Sequence, residues 1–471
     1  MLIHTVKPGE SLWEISTNYK VPIKKIIEVN KLPNPNRLVN GQSLVIPTQD
    51  RIHIVRPGES LWKIAKDYGT SVKSIVKVNK ISDTKSIYPG KRLYILAPRH
   101  YVKRGEMPWE IGKRYGVSLE SLLRVNNIED PRGIYPGTIL IIPRKEKPPM
   151  DVNGYIYKLD KEAIPIVRED GKYLTYLSPF AYLIKEDGSL QVIKDVPAIK
   201  TAYEQRVVPI MSITNFTSTE KGENVANIIL NSDEIQEKLL TNIINIMKEK
   251  RYKGLNVDFE NVLPKDREPY NKFMERTVER LHPKGYFVSS ALAPKVSADQ
   301  PGLLYEAHDY EAHGKIADFV ILMTYEWGAR VGPPQAISPL DQIKRVLDYA
   351  VTVIPREKIY FGFQIYARDW LLPHRKGQEA KTFSPQEAIL KAVKYGATIK
   401  YDEIAQSPYY RYRDEEGRMH EVWFEDARSA QAKFDAVKDY NLSGISYWVL
   451  GYPYPQNWVL LEDNFNIRKE L

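Results

Sequence analysis

Gly254-Leu255-Asn256-Val257-Asp258-Phe259-Glu260 is the stretch on which the reading of this chain turns. Leu255, Val257 and Phe259 alternate with Asn256, Asp258 and Glu260. Side chains on a strand point to opposite faces with a period of two. The three polar residues therefore share one face of a short buried strand that ends in a carboxylic acid. Carboxylates are rarely buried unless they are paired or put to use. Two acids and an amide facing inward at a strand end read as a site; the competing reading is an edge strand with one wet face.

Outward from this strand, short apolar runs alternate with helical patterns over residues 151–471. Candidate strands are Tyr173 to Ala181, Arg206 to Ile213, Gly254 to Phe259, Tyr286 to Leu292, Phe319 to Met323, Lys358 to Phe363 and Ile445 to Val449. Amphipathic stretches such as Ile235 to Lys248, Asn271 to Leu281 and Leu340 to Val353 lie between them. Strand–helix alternation at this length predicts an α/β fold, a (β/α)8 barrel. Residues from about 375 to 424 break the pattern. They are rich in Tyr, Arg and Glu and read as an inserted α+β lobe. The charged, proline-rich run Arg144-Lys145-Glu146-Lys147-Pro148-Pro149-Met150 reads as a linker.

At 471 residues the chain is too long for one core, so two or more domains are expected. It has no cysteine, which excludes disulfide scaffolds, thiol catalysis and Cys-ligated zinc. The start lacks a basic segment followed by an apolar one, and no apolar run is long enough to span a membrane. The expectation is synthesis in the cytoplasm without a signal peptide and no membrane insertion. The net charge of +9 is unevenly placed. Residues 1–150 carry 26 Lys and Arg against 13 Asp and Glu, and the remainder 42 against 46. A basic N-terminal third favours an anionic polymer.

That third is an internal repeat. His4-Thr5-Val6-Lys7-Pro8-Gly9-Glu10-Ser11-Leu12-Trp13-Glu14-Ile15 recurs from His53 to Ile64 and, degraded, from Tyr101 to Ile111, where Met107-Pro108 replaces Ser-Leu. Each copy runs on to an Asn (Asn30, Asn79, Asn126), a Gly (Gly41, Gly90, Gly137) and a closing apolar strand. The pattern predicts three β-α-α-β modules over 1–49, 50–98 and 99–145. Glu and Ser fall near a helix start, where an acid and a hydroxyl suit the free N–H groups. Trp13, Ile15 and Tyr19 are expected on the inner face, with the tryptophans packed in the core. The repeats resemble LysM modules, which bind N-acetylglucosamine-containing glycans such as peptidoglycan and chitin. The resemblance implies a shallow sugar groove between two loops. These are Pro8 to Leu12 with Glu28 to Leu32, Pro57 to Leu61 with Lys77 to Ile81, and Gly105 to Trp109 with Arg124 to Ile128.

The strand motif resembles the Asp-x-x-Asp-x-Asp-x-Glu signature of family 18 glycoside hydrolases. Glu260 and Asp258 match the last two positions, Asn256 replaces the middle Asp and Lys253 the first. Met323-Thr324-Tyr325-Glu326 resembles that family's Met-x-Tyr-Asp, with Glu326 for Asp. Gln364-Ile365-Tyr366-Ala367-Arg368 resembles its Pro-x-Tyr-Gly-Arg, and Tyr447-Trp448 ends the last strand where the family carries a floor Trp. The resemblance implies retaining, substrate-assisted hydrolysis. Glu260 is then the acid and later the base, and Asp258 the orienter of the substrate's acetamido group. Tyr325 donates to its carbonyl, and Asn256 hydrogen-bonds Asp258. Trp448, Glu326, Tyr366 and Arg368 line the substrate site. Tyr325 and Trp448 could instead be plain core residues.

LysM modules joined to such a barrel resemble the bacterial spore cortex-lytic enzymes, N-acetylglucosaminidases that cut cortical peptidoglycan. The resemblance places the protein in the spore coat or cortex, or at the cell wall. Rival readings are a chitinase with chitin-binding modules and a non-catalytic glycan-binding coat or wall protein. The repeats carry no nucleic-acid motif. Nothing in the sequence suggests a metal or organic cofactor.

Overall fold

The computed structural model describes residues 1–83, 87–143 and 147–470. The chain forms two compact units, one over Met1–Leu38 and Ser43–Pro148 and one over Val39–Gln42 and Pro149–Leu471.

In the first unit the β-α-α-β pattern occurs three times. Leu2–Thr5 pairs antiparallel with Ser43–Ile46, Arg51–Ile54 with Arg92–Ile95, and Arg99–Tyr101 with Ile139–Ile141. Two short helices lie between the strands of each pair, in the first module Leu12–Tyr19 and Ile23–Asn30. Ser11 and Ser60 cap their helices from the side chain. In the third module Met107 cannot, and Glu110 instead accepts from the Met107 amide. The repeated Asn ties the second helix to the closing strand. Asn30 donates to Ile26 O and Val45 O and accepts from Val45 N, each at 2.8 Å. Asn79 and Asn126 repeat the pattern.

A second constellation recurs that the repeat pattern did not single out. His4 bonds Glu10 at 2.7 Å and Tyr19 at 3.1 Å. His53 bonds Glu59 and Tyr68, and His100 bonds Glu106 and Tyr115, with nearly the same distances. His100 precedes the point where the third repeat becomes recognisable, so that copy is more complete than its sequence suggests.

The expected core role of the tryptophans does not hold. Trp13, Trp62 and Trp109 are 66%, 66% and 54% exposed. The cause is helical geometry. Residues three and four apart share a helix face, so Leu12, Ile15 and Tyr19 go together, whereas Trp13 is two positions from Ile15 and falls on the other side.

The second unit is a closed barrel of eight parallel strands: β1 (Pro149–Ile156), β2 (Tyr176–Pro179), β3 (Val208–Thr214), β4 (Gly254–Asp258), β5 (Phe287–Leu292), β6 (Phe319–Leu322), β7 (Ile359–Gln364) and β8 (Gly444–Trp448). β8 pairs with β1 and β3 with β4, which closes the ring. Helices such as Asp233–Lys250, Arg267–Leu281 and Leu340–Val353 follow the strands. The sequence reading missed β1. Its first two residues, Pro149 and Met150, were assigned to the linker; Arg144, Lys145 and Glu146 lie outside the described residues. The inserted lobe also starts earlier than residue 375. Its five-stranded antiparallel sheet opens with Ala367–Leu371 and ends with Met419–Trp423, with helix Pro385–Tyr395 between the second and third of its strands in the chain.

Candidate active site

The barrel interior is layered, and the layering decides where a site can be. At the strand starts Tyr176, Phe287, Phe319 and Tyr360 form a plug, with Phe319 and Tyr360 stacked at 4.0 Å. Gly254 and Gly444 make room for it, because a Cβ on either would lie 2.2 or 2.4 Å from the ring of Phe287 or Tyr360. Above the plug, inward positions are polar and buried. Asn153 bridges Ser178 and Ser446, and Ser212 and Ser289 stand opposite Asn256 on the flanking strands. The polar face read from β4 therefore points into the barrel, toward the strand C-termini where barrel enzymes place their sites. The edge-strand alternative is excluded, since β4 is buried and paired on both sides.

Asp258 is buried with Oδ1 lacking any hydrogen-bond partner among the described residues. Burial first, and then the charge of Glu260, push its carboxyl well above the usual range. Glu260, two residues on and partly open to solvent, is pushed up to about 7 by burial and then by the charge of Glu326. Asn256 does not serve Asp258 as expected. It donates to the Tyr155 hydroxyl at 2.8 Å and accepts from Ser289 at 2.9 Å. Lys253, at the start of the motif, is exposed.

Two residues without an obvious sequence signal fix the acid in place. Asn215, just past β3, accepts from the Glu260 amide at 2.8 Å and donates to its carbonyl at 2.7 Å. His308 accepts from Ala293 N at 2.8 Å, which leaves its other ring nitrogen to donate to Phe259 O, also at 2.8 Å. Burial holds His308 down to about 4, so the ring stays neutral. Tyr155, on the strand the sequence reading missed, faces the same centre. Burial and then Asp258 raise its hydroxyl well above the ordinary value.

Tyr325 and Glu326 follow β6. Burial, then Tyr155 and Asp258, raise the Tyr325 hydroxyl well above its ordinary value. Glu326 has φ +72, a left-handed conformation rare for a residue with a side chain. It is held there by neighbours: Arg368 donates to both its oxygens at 2.9 and 3.0 Å, and the Tyr366 hydroxyl bonds one of them. Arg368 also donates to Gly328 O at 2.5 Å and lies 5.0 Å from the centre of the Tyr366 ring. Glu326, Tyr366 and Arg368 thus form one cluster from β6 and the base of the lobe. Trp448 ends β8 half-buried, edge-on to Tyr155 and Phe180 at 5.5 and 4.9 Å. Among the described residues no group of three or more His, Asp or Glu side chains could hold a metal ion.

Barrel, strand-end acid and repeated modules together define a class. The model of the glycosyl hydrolases family 18 matches residues 165–452, and the LysM domain matches residues 4–47, 53–96 and 100–143. The chain belongs to family 18 and is a glycosidase bearing three LysM domains. Among its relatives is the cortical fragment-lytic enzyme of Bacillus subtilis (strain 168), 42% identical over 100% of this chain and 99% of that protein. The crystal structure of the Bacillus megaterium QM B1551 spore cortex-lytic enzyme SleL superposes with a TM-score of 0.79 at 38% identity, covering 100% of this chain and 99% of that one. The Bacillus cereus spore cortex-lytic enzyme SleL gives 0.68 at 38% identity, covering 89% and 99%. Among the described residues no helix is long and apolar enough to cross a membrane.

Proposed function

We propose that this glycosidase cleaves N-acetylglucosaminyl bonds in spore-cortex peptidoglycan with retention of configuration, using the substrate's own acetamido group as nucleophile. One observation carries the reading: burial raises both neighbouring carboxyls, Glu260 to about 7 and Asp258 well above the usual range, so Glu260 can act as the acid while Asp258, whose Oδ1 has no hydrogen-bond partner among the described residues, is not held as an ionised nucleophile. Most glycosidases need a second free carboxylate as nucleophile or base, and family 18 is among the substrate-assisted exceptions. Glu326, another carboxylate at the rim, is engaged by Arg368 and Tyr366 and is not free to attack.

In the first step Glu260 gives its proton to the leaving glycosidic oxygen as the acetamido oxygen bonds to the anomeric carbon. Asp258 Oδ1 accepts from the acetamido N–H, and the Tyr325 hydroxyl donates to the carbonyl. In the second step water attacks the same carbon, Glu260 takes its proton, and the ring of the cyclic intermediate reopens. Trp448 offers an apolar face to the sugar, and Glu326, Tyr366 and Arg368 bind its polar edge. Asn256 acts indirectly, by holding Tyr155. The LysM domains hold the enzyme on the glycan and the spore cortex is its site of action, a reading supported by the names of its near relatives.

The test is to digest purified spore cortex and colloidal chitin side by side and to follow the first product by NMR. Preferential release from cortex with retained anomeric configuration is expected. Inverted product would end substrate assistance, and equal or better release from chitin would favour a chitinase.

A further inference from the structure

The three exposed tryptophans are costly to explain as ordinary surface. Indole is the largest apolar side chain and is normally well buried. The other five tryptophans of this chain are buried or half-buried. The module cores close without the exposed three: in the first module Leu12, Ile15, Ile26, Leu44 and Ile46 do so. Yet Trp13, Trp62 and Trp109 occupy the same helix position in all three copies, 54–66% exposed.

Their surroundings are polar. In the first module Trp13 lines a shallow groove of about 370 Å³ with Lys7, Glu10, Glu14, Thr17 and Asn18. Pro8, Gly9 and Glu10 of the first loop also line it, but no residue of the loop from Glu28 to Leu32 does, so it runs from the first loop along the first helix rather than between the two loops. Lys66 sits 5.3 Å from the Trp62 ring centre, and in the third module Arg114 reaches Glu106 at 2.7 Å. A flat aromatic ring rimmed by charged and amide groups suits a ligand with one apolar face and a polar edge, as a pyranose has. A protein partner would call for one patch. Three equal patches at a fixed sequence period suit a ligand that itself repeats.

Resting on the reading of the LysM domains as glycan anchors, we propose that Trp13, Trp62 and Trp109 are stacking platforms for sugar rings of the same glycan, a contact line that extends from the first loop of each module along its first helix, away from the second loop.

The experiment uses the full chain with Glu260→Gln to stop hydrolysis. Its binding to insoluble peptidoglycan, stripped of anionic side polymers, is measured by co-sedimentation at physiological salt. Changing all three tryptophans to Ala should weaken binding at least tenfold, while changing all three to Phe should hold it within about threefold of the parent. Circular dichroism and thermal melting check that both variants stay folded, as exposed positions predict. Unchanged binding by the Ala variant, or equal loss in the Phe variant, overturns the platform. If the parent itself fails to bind, the glycan-anchor reading falls, and the platform with it.

Discussion

In the proposed mechanism Glu260 is the general acid, and its surroundings explain how a carboxyl can hold its proton near neutral pH. Burial and the Glu326 charge raise it to about 7, and a general acid works only while protonated. Activity should therefore fall as pH rises through about 7. Glu326→Gln removes the like charge, so Glu260 should lose its proton more readily and the alkaline limb should move to lower pH. A pH profile of kcat/KM reads this directly, and an unmoved limb would remove Glu326 from the electrostatics of the acid. Asn215 acts through the backbone. Asn215→Ala frees both peptide groups of Glu260, and loss of geometry of this kind costs about 10–10²-fold. The loss should fall on kcat more than KM in steady-state assays. Asp258, Glu260 and Tyr325 could be proposed from the sequence because strand ends and local motifs point to them. Asn215, His308 and Tyr155 were not, since each works through a fold contact with a residue distant in sequence.

At the scale of elements the misses have local causes. β1 begins Pro149-Met150-Asp151, and prolines beside a charged run read as linker although the strand is buried from Met150 onward. The lobe's first strand was lost because Ala367–Leu371 continues directly from β7, with only two residues between. The tryptophans were misplaced by grouping apolar residues without checking that they share a helix face. The repeated Asn was seen as a marker, and the structure supplies its mechanism as a lock between helix and strand. Asn79→Ala removes three hydrogen bonds and strands the Tyr94 amide. At about 0.5–1.5 kcal/mol per bond the second module should lose about 2–4 kcal/mol, measurable by urea denaturation of the full chain as an earlier first transition. No shift would mean that water replaces the Asn.

On the scale of the whole molecule, charge and architecture divide along the same line. The basic excess lies in residues 1–150 and the slight acidic excess in the rest, matching the two compact units. Residues 1–148 should pull down with peptidoglycan, and residues 149–471 much less. Added salt should remove only the electrostatic share, because charges are screened beyond about 8 Å at physiological ionic strength. Equal binding by the isolated barrel would contradict the division. The central claim, that the barrel's chemistry runs through one acid, is tested most directly by Glu260→Gln assayed on spore-cortex fragments. The variant keeps shape and hydrogen bonding but cannot deliver a proton, and general acid catalysis is worth about 10²–10⁴-fold. A folded protein with release of new reducing ends reduced by about that factor is the predicted result. Near-wild-type release by the folded variant would contradict the account and place the chemistry elsewhere.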